Sequence, residues 1–475
     1  MAAVLAIRNA PGRLALFAAA LAAACAAAVA GQGLWLLAVL AIVPVALAIY
    51  FRPQRGILLV AALAPFNGLL LIVQVPGFAR GWKEALVGAS LAATFVCPRS
   101  ARGARGRSLP RWLPALAGLV VVALLSAVSI GGDQALLGLK VNLYYVLVAV
   151  AVWRAPLDQR ERDRLVTILM ATGFVCSVIG LAQQALGDVR LNDLGYQYNS
   201  TIRFSGDFLR SFSTFDQPFP FALFVMVTLL VGIPVALEDP TRVRNRVFLL
   251  ATPIYLLGIL SALVRAAWLG LAVGLLYLAF RRYRALLWFI PLAVVAFLLV
   301  AGPVSSTLLS STSLQARTQG WQGAIQQVEA HPLGVGIGSA GAVAERLAGA
   351  ASKSAYQPDN YYFKTVYELG VLGLWMLVLL LIGIFRAVHV GAARARAPDR
   401  ALLDGIAAVV LASMVASLVD SYFEIFPLDL TFWLLIGLAA AMVARTRGSG
   451  TELVAAASPT SAPAPVDAGA PLSPT

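Results

Sequence analysis

The sequence predicts an all-α fold: a polytopic transmembrane helix bundle of about 12–14 helices with two long loop regions on its outer face. Three observations lead there. Of 475 residues, 60% are hydrophobic and only 12% charged, and the mean hydropathy is +0.83, a composition that suits lipid rather than water as solvent. Apolar runs of about 17 to 22 residues recur between short polar connections, and in hydrocarbon that length selects helices. Basic residues gather on alternate connections, which gives the bundle an inside and an outside.

Taken in chain order, apolar runs place spans at 14–30 and 32–51, with Arg8 and Arg13 before the first. A second apolar run follows at once, so the first span is expected to stay uncleaved rather than act as a removable signal. Spans at 56–74, 82–97, 112–130, 135–153 and 165–186 follow, separated by Arg52 and Arg55, then Arg99 to Arg111, then Arg154 to Arg164. Next come 218–237, 247–264, 266–280 and 285–302, where the middle two could be one bent helix or a re-entrant pair. Spans at 361–385, 401–419 and 426–444 complete the set, with basic connections at Arg242 to Arg246, Arg281 to Arg284, Arg386 to Arg400 and Arg445 with Arg447. Both termini are therefore expected to be cytoplasmic. The organisation is 1–186 helices, 187–217 loop, 218–302 helices, 303–360 larger loop with short helices, 361–448 helices and 449–475 tail. The tail is rich in Pro, Ala, Ser and Thr and reads as disordered.

A net charge of +14 suggests nucleic acid until the positions are checked; the basic residues follow topology, so no nucleic-acid partner is expected, and membrane lipid is. Cys25, Cys97 and Cys176 show no redox or metal spacing and read as small core residues. No acidic or histidine cluster has metal-ligand spacing, so neither metal nor cofactor is expected.

Eleven basic residues do not belong to the cytoplasmic connections: Arg80, Lys83, Lys140, Arg190, Arg203, Arg210, Arg265, Arg317, Arg346, Lys353 and Lys364. Nearly all fall on the outer face, against the topology signal, so something other than insertion keeps them there. Arg265 stands at the junction of two apolar spans, where a guanidinium needs an anion or an acidic partner; the plainer reading is an interfacial arginine that snorkels. Arg210 lies in a polar loop just before a span, where an ion pair with Asp207 or Asp216 is the structural alternative. Arg203 and Arg317 are further candidates.

In the larger loop, Leu314, Trp321, Ile325 and Val328 recur at helical spacing and suggest an interfacial helix. It runs into His331-Pro-Leu-Gly-Val-Gly-Ile-Gly338, a turn that permits close backbone approach. This is not a phosphate-binding P-loop, because the Gly-Lys-Ser/Thr ending is missing. His331 is a candidate base or phosphate ligand, or else a histidine that only supports the turn. Asp359 or Asn360, just after Pro358, reads as a helix N-cap. Lys364 and Glu368 share one face of the helix that follows and could be a plain i,i+4 pair. Asp420, Glu424 and Asp429 read as a solvated loop rather than a sugar contact.

Four segments together resemble the O-antigen ligase and polymerase superfamily, whose members act on polyprenyl-diphosphate-linked glycans. They are Arg210-Ser-Phe-Ser-Thr-Phe-Asp-Gln-Pro218; Leu263-Val-Arg-Ala-Ala-Trp268; Arg317 to Trp321 with His331-Pro-Leu-Gly-Val-Gly336; and Asp359-Asn-Tyr-Tyr362 with Glu368-Leu-Gly-Val-Leu-Gly373. The resemblance covers about 200–375. It implies a fold like the GT-C glycosyltransferases in a bacterial inner membrane, with the outer face periplasmic. The implied activity is transfer of glycan from an undecaprenyl-diphosphate-linked donor, with a chain-length regulator and a flippase as pathway partners. Family ligases carry a histidine, then Asn, Ser or Gln, then nine residues and Gly; here Asn360 and Gly370 keep the spacing while Asp359 replaces the histidine. By that position the resemblance gives Asp359 the base role, with His331 and Arg265 as the other catalytic candidates. Arg210, Arg203, Arg317, Asn360, Lys364 and Glu368 are the candidates for substrate binding. The replaced histidine favours a polymerase of O-antigen, capsule or exopolysaccharide over a ligase acting on lipid A-core. A transporter, with Asn67, Lys140 and Asp404 as its midplane groups, and a structural subunit of an export complex are the readings from other classes.

Overall fold

The computed structural model describes residues 44–72, 80–96, 108–196, 204–205, 208–289, 326, 328–348 and 358–456. Its helices are α1 (Pro53–Leu63), α2 (Trp82–Val96), α3 (Leu113–Ile130), α4 (Gly132–Leu143), α5 (Val146–Arg154), α6 (Gln159–Asp193), α7 (Pro218–Glu238), α8 (Val243–Ser261), α9 (Arg265–Arg281), α10 (Gly341–Ala348), α11 (Tyr361–Arg394), α12 (Asp399–Ala416) and α13 (Leu428–Ala456). One two-residue hairpin, Phe204–Ser205 against Phe208–Leu209, stands before α7. The protein is an all-α helix bundle. Six described helices, α3, α6, α7, α8, α11 and the apolar part of α13, are long and apolar enough to cross a membrane, and the bent pair α4–α5 makes a seventh.

The centre is α7. Its residues are apolar on every side, so no stripe faces outward, and nearly all of it is buried. Helices α6, α8, α9 and α12 pack around it, while α13 lies against α5 and α11 against α3 and α12. Small residues allow the close approach: a Cβ at Gly173 would meet the side chain of Thr228, and one at Gly437 would meet the backbone of Ala149.

Several expected spans change shape. The run 135–153 is two helices bent by 49°, with the break at Tyr144 and Tyr145. The expected span 165–186 begins earlier because Asp158 and Glu161 form a reciprocal capping box, and Gly187 (φ 74°) kinks its far end. The region 247–280 is two separate helices, α8 and α9, turned at Leu263 with φ of 51°. Helices α9 and α12 occupy their expected places but are short or carry charges such as Asp399, Arg400 and Asp404. The expected spans 14–30 and most of 32–51 and 285–302 lie outside the described residues, as does most of the expected interfacial helix.

Charge separates the two ends. One end holds Arg162 with Asp399 at 3.1 Å, Arg244 with Asp163 at 2.8 Å and Arg281 with Asp404 at 3.1 Å. The other gathers the ends of α6, α8 and α12 with the starts of α7, α9, α11 and α13, and it carries the candidate site.

Candidate functional site at the loop end of the bundle

The segment Arg210 to Thr214 is fixed by two adjacent glutamines on α6. The Gln183 Oε1 accepts from the amides of Phe212 (3.1 Å) and Ser213 (2.7 Å), and its Nε2 donates to the Ser213 carbonyl at 2.9 Å. Gln184 Nε2 donates to the carbonyl of Leu209 at 2.6 Å and to Ser211 Oγ at 2.9 Å. The hydroxyls then close the set: Ser211 donates to Gly180, Ser213 to Cys176 and Thr214 to Pro65. A run of Ser and Thr in a loop is thus buried with its polar groups satisfied. Cys176 is a buried free thiol here, consistent with a core role.

This segment lies on the α8–α9 turn. The Ser211 amide donates to the Ser261 carbonyl at 3.0 Å, and Arg210 Nε donates to the Ala262 carbonyl at 3.2 Å. Its guanidinium also sits 4.8 Å from the centre of the Phe219 ring. Arg265 follows three residues after Ala262 as the first residue of α9. The two arginines act on each other electrostatically. Burial, opposed by Asp420 and reinforced by Arg265, brings Arg210 down to about 10.

The opposing wall comes from α11 and the loop between α12 and α13. Asn360 caps α11, its Oδ1 accepting from the amides of Tyr362 (2.9 Å) and Phe363 (3.1 Å). The cap that the sequence left between Asp359 and Asn360 is therefore Asn360. The Tyr361 amide donates to Ser417 at 2.9 Å, and Ser421 Oγ donates to the Pro358 carbonyl at 3.1 Å. These bonds set residues 358–360 beside 420–421.

Asp420 is the residue that the sequence reading missed. It was expected in a solvated loop, yet it is only 9% exposed. Its Oδ1 accepts the Ser421 amide at 2.7 Å, and its Oδ2 is buried without a hydrogen-bond partner among the described residues. Burial, with the negative charges of Asp359 and Glu424, pushes its carboxyl up to about 7, against the opposing effects of the Ser421 amide and Arg210. The available signal was the density of carboxylates in one short outer turn, which hydropathy alone assigns to water.

Lys364 and Glu368 do form the i,i+4 pair, at 2.8 Å and with both side chains 1% exposed. Glu424 joins them at 3.2 Å. The Asn142 Oδ1 accepts from Tyr361 Oη at 3.2 Å and from Lys364 Nζ at 3.4 Å. The second Glu368 oxygen accepts the amides of Gly338 (3.1 Å) and Ala340 (3.2 Å). The glycine turn thus meets α11 at its break. Gly370 has φ of 67°, and the carbonyls it releases from the helix, those of Tyr367 and Glu368, accept instead from Val335 (2.8 Å) and Gly336 (3.0 Å). In an unbroken helix those acceptors would serve Val371 and Leu372.

His331 has an exposed side chain, and its carbonyl accepts the Gly334 amide at 2.8 Å to close the turn. The structure brings together Arg210, Arg265, Asp359 and Asp420, and separately joins Lys364, Glu368 and Glu424. Arg203 and Arg317 lie outside the described residues.

A protein-family model described as O-antigen ligase matches residues 248–378. The matched stretch runs from α8 through the glycine turn into α11, so it includes Arg265, His331 and Asp359 but neither Arg210 nor Asp420. No curated protein matches the chain. Over residues 248–378, a stretch short of half the chain, the protein is therefore similar to the O-antigen ligase family.

Proposed function

We propose that the chain transfers glycan from an undecaprenyl-diphosphate-linked oligosaccharide to an acceptor hydroxyl, as a metal-independent polymerase of O-antigen, capsule or exopolysaccharide repeat units. The family's chemistry is glycan transfer of the O-antigen ligase and polymerase type; the donor, the acceptor and the choice of polymerase are our reading. One observation carries it: Arg210 and Arg265, far apart in sequence, meet at one turn, with Arg210 bonded to Ala262 just before Arg265.

Two neighbouring guanidiniums repel each other and gain from an anion between them. Their forks suit a diphosphate, and charge-assisted bonds to it would strengthen as the leaving group gains charge. The turn at the end of two apolar helices is where a polyprenyl tail would hold that diphosphate. In this reading the site end is the periplasmic side of a bacterial inner membrane, 187–217 and 303–360 are its loops, and both termini are cytoplasmic. A flippase and a chain-length regulator are the pathway partners. Asp359 in place of the ligase histidine is what favours a polymerase over transfer to lipid A-core.

The groups that would serve a transporter have local partners. Asn67 Oδ1 accepts from Trp82 Nε1 at 3.2 Å, Lys140 pairs with Glu84 at 2.8 Å, and Asp404 pairs with Arg281 at 3.1 Å. The test is deletion of the gene: lipid-linked repeat units accumulate on the periplasmic leaflet and long polymer disappears. Normal polymer of every type in that strain would reject the reading. Cysteines placed beside Arg210 and His331 should react with impermeant reagents in intact cells once the outer membrane is permeable.

A further inference from the structure

The glycosyl transfer proposed above needs a group to take the acceptor proton, and the residue expected in that role from resemblance, Asp359, has a neighbour better placed for it. Asp420 is held by its backbone and by one oxygen. Oδ1 accepts the Ser421 amide at 2.7 Å, and Ser421 Oγ ties the loop to Pro358 at 3.1 Å. The other oxygen, Oδ2, is buried with no hydrogen-bond partner among the described residues. A buried carboxylate oxygen without a donor is costly and is uncommon where a fold serves stability alone. The charged groups acting on Asp420 are Asp359 just before the cap of α11, Glu424 on its own loop and Arg210 on the wall opposite. An acid, a neighbouring acid and an arginine therefore converge from three different elements.

We propose that Asp420 is the catalytic base, with Oδ2 receiving the proton of the acceptor hydroxyl and Asp359 tuning it as a positioning residue. The inference rests on the glycosyl-transfer reading. In the step, the acceptor oxygen forms a bond to the anomeric carbon of the donor. The bond from that carbon to the phosphate oxygen breaks, and undecaprenyl diphosphate leaves with the electron pair toward Arg210 and Arg265. The hydroxyl proton passes to Asp420 and from there to water. Its carboxyl, pushed up to about 7 chiefly by burial, has the proton affinity that suits a base working near neutral pH. Asp359 raises that affinity by like-charge repulsion.

The test uses detergent-purified full-length protein and lipid-linked repeat units extracted from the deletion strain. Turnover is followed from about pH 5.5 to 9, and undecaprenyl diphosphate binding is measured alongside. Wild-type turnover rises through a midpoint near 7 and then levels. Asp420→Asn loses roughly a hundredfold or more in turnover while binding undecaprenyl diphosphate within about threefold of wild type. Asp359→Asn moves the midpoint to lower pH, which a purely structural residue would not do. Wild-type turnover by a well-folded Asp420→Asn protein, or a midpoint unmoved in Asp359→Asn, overturns the assignment. Failure of the wild-type protein to bind undecaprenyl diphosphate or to use the extracted donor would instead remove the glycosyl-transfer reading, and this inference with it.

Discussion

The amide of Val371 donates to the carbonyl of Pro332 at 3.1 Å, so a helix broken at Gly370 is repaired by a loop nearly forty residues earlier. A methyl group at Gly370 would strike the Pro332 carbonyl and the Leu333 backbone, in a left-handed conformation that already disfavours side chains. The conformation alone costs alanine about 1–3 kcal/mol, and the collision adds to that. Gly370→Ala is therefore expected to lower the thermal midpoint of the purified protein by several degrees and to reduce its membrane level. An unchanged melting curve would show that the loop does not complete the helix.

Lys364 is enclosed by Glu368 and Glu424 with 1% of its side chain exposed. Replacing it with methionine leaves two buried carboxylates facing each other. The expected loss of stability is about 3–5 kcal/mol, the usual cost of breaking a buried pair from one side. Adding Glu368→Gln to Lys364→Met should cost less than the sum of the two single changes, because the partners share one interaction. Strictly additive losses in a double-mutant cycle would mean that Lys364 and Glu368 do not act as a unit.

Arg265→Ala should abolish polymer while the protein reaches the membrane at normal level, and Arg265→Lys should keep only a small fraction of activity, because lysine keeps the charge but loses the fork. One lost contact of this kind costs about 3 kcal/mol, or roughly a hundredfold in rate. Polymer length in a complemented deletion strain, with membrane levels checked by blot, measures it. Full-length polymer from the alanine variant would return Arg265 to an interfacial role.

Asp420 also carries a stability signature. Its carboxyl is raised to about 7 in the folded protein, mainly by burial, whereas an unfolded aspartate releases its proton near pH ~4. Between those values the folded chain binds more protons than the unfolded one, so stability falls as pH rises from about 4 to 7 and is flat above. The full span is worth roughly 4 kcal/mol. Asp420→Asn should therefore melt higher than wild type at pH 8, with the difference vanishing near pH 4. Equal midpoints at both pH values would argue that the carboxylate is well solvated when folded.

The helices were legible in the sequence because lipid imposes a length and a polarity that single runs must meet. The bent pair at Tyr144 and Tyr145 was not, since both halves are apolar and nothing in hydropathy reports direction. Arg210 and Arg265 stood out in the sequence as arginines outside the basic connections, and Asn360 as a cap candidate after Pro358. Asp420 was not legible: its burial depends on Ser421 reaching Pro358, a contact across more than sixty residues that no local pattern encodes. Lys364 and Glu368 showed their spacing but not their third partner, because Glu424 arrives from a different helix connection.

Arg210 and Asp420 are separated by 210 residues, and Asp420 lies just ahead of the final membrane helix. During synthesis Arg210 and Arg265 are made long before the acidic loop that acts on Arg210. The growing chain must hold Arg210 without Asp420 until α12 and the loop after it have been made. A chain that stalls or is truncated before residue 420 would hold most of the described helices and both guanidiniums, yet lack the Asp420 carboxylate that acts on Arg210.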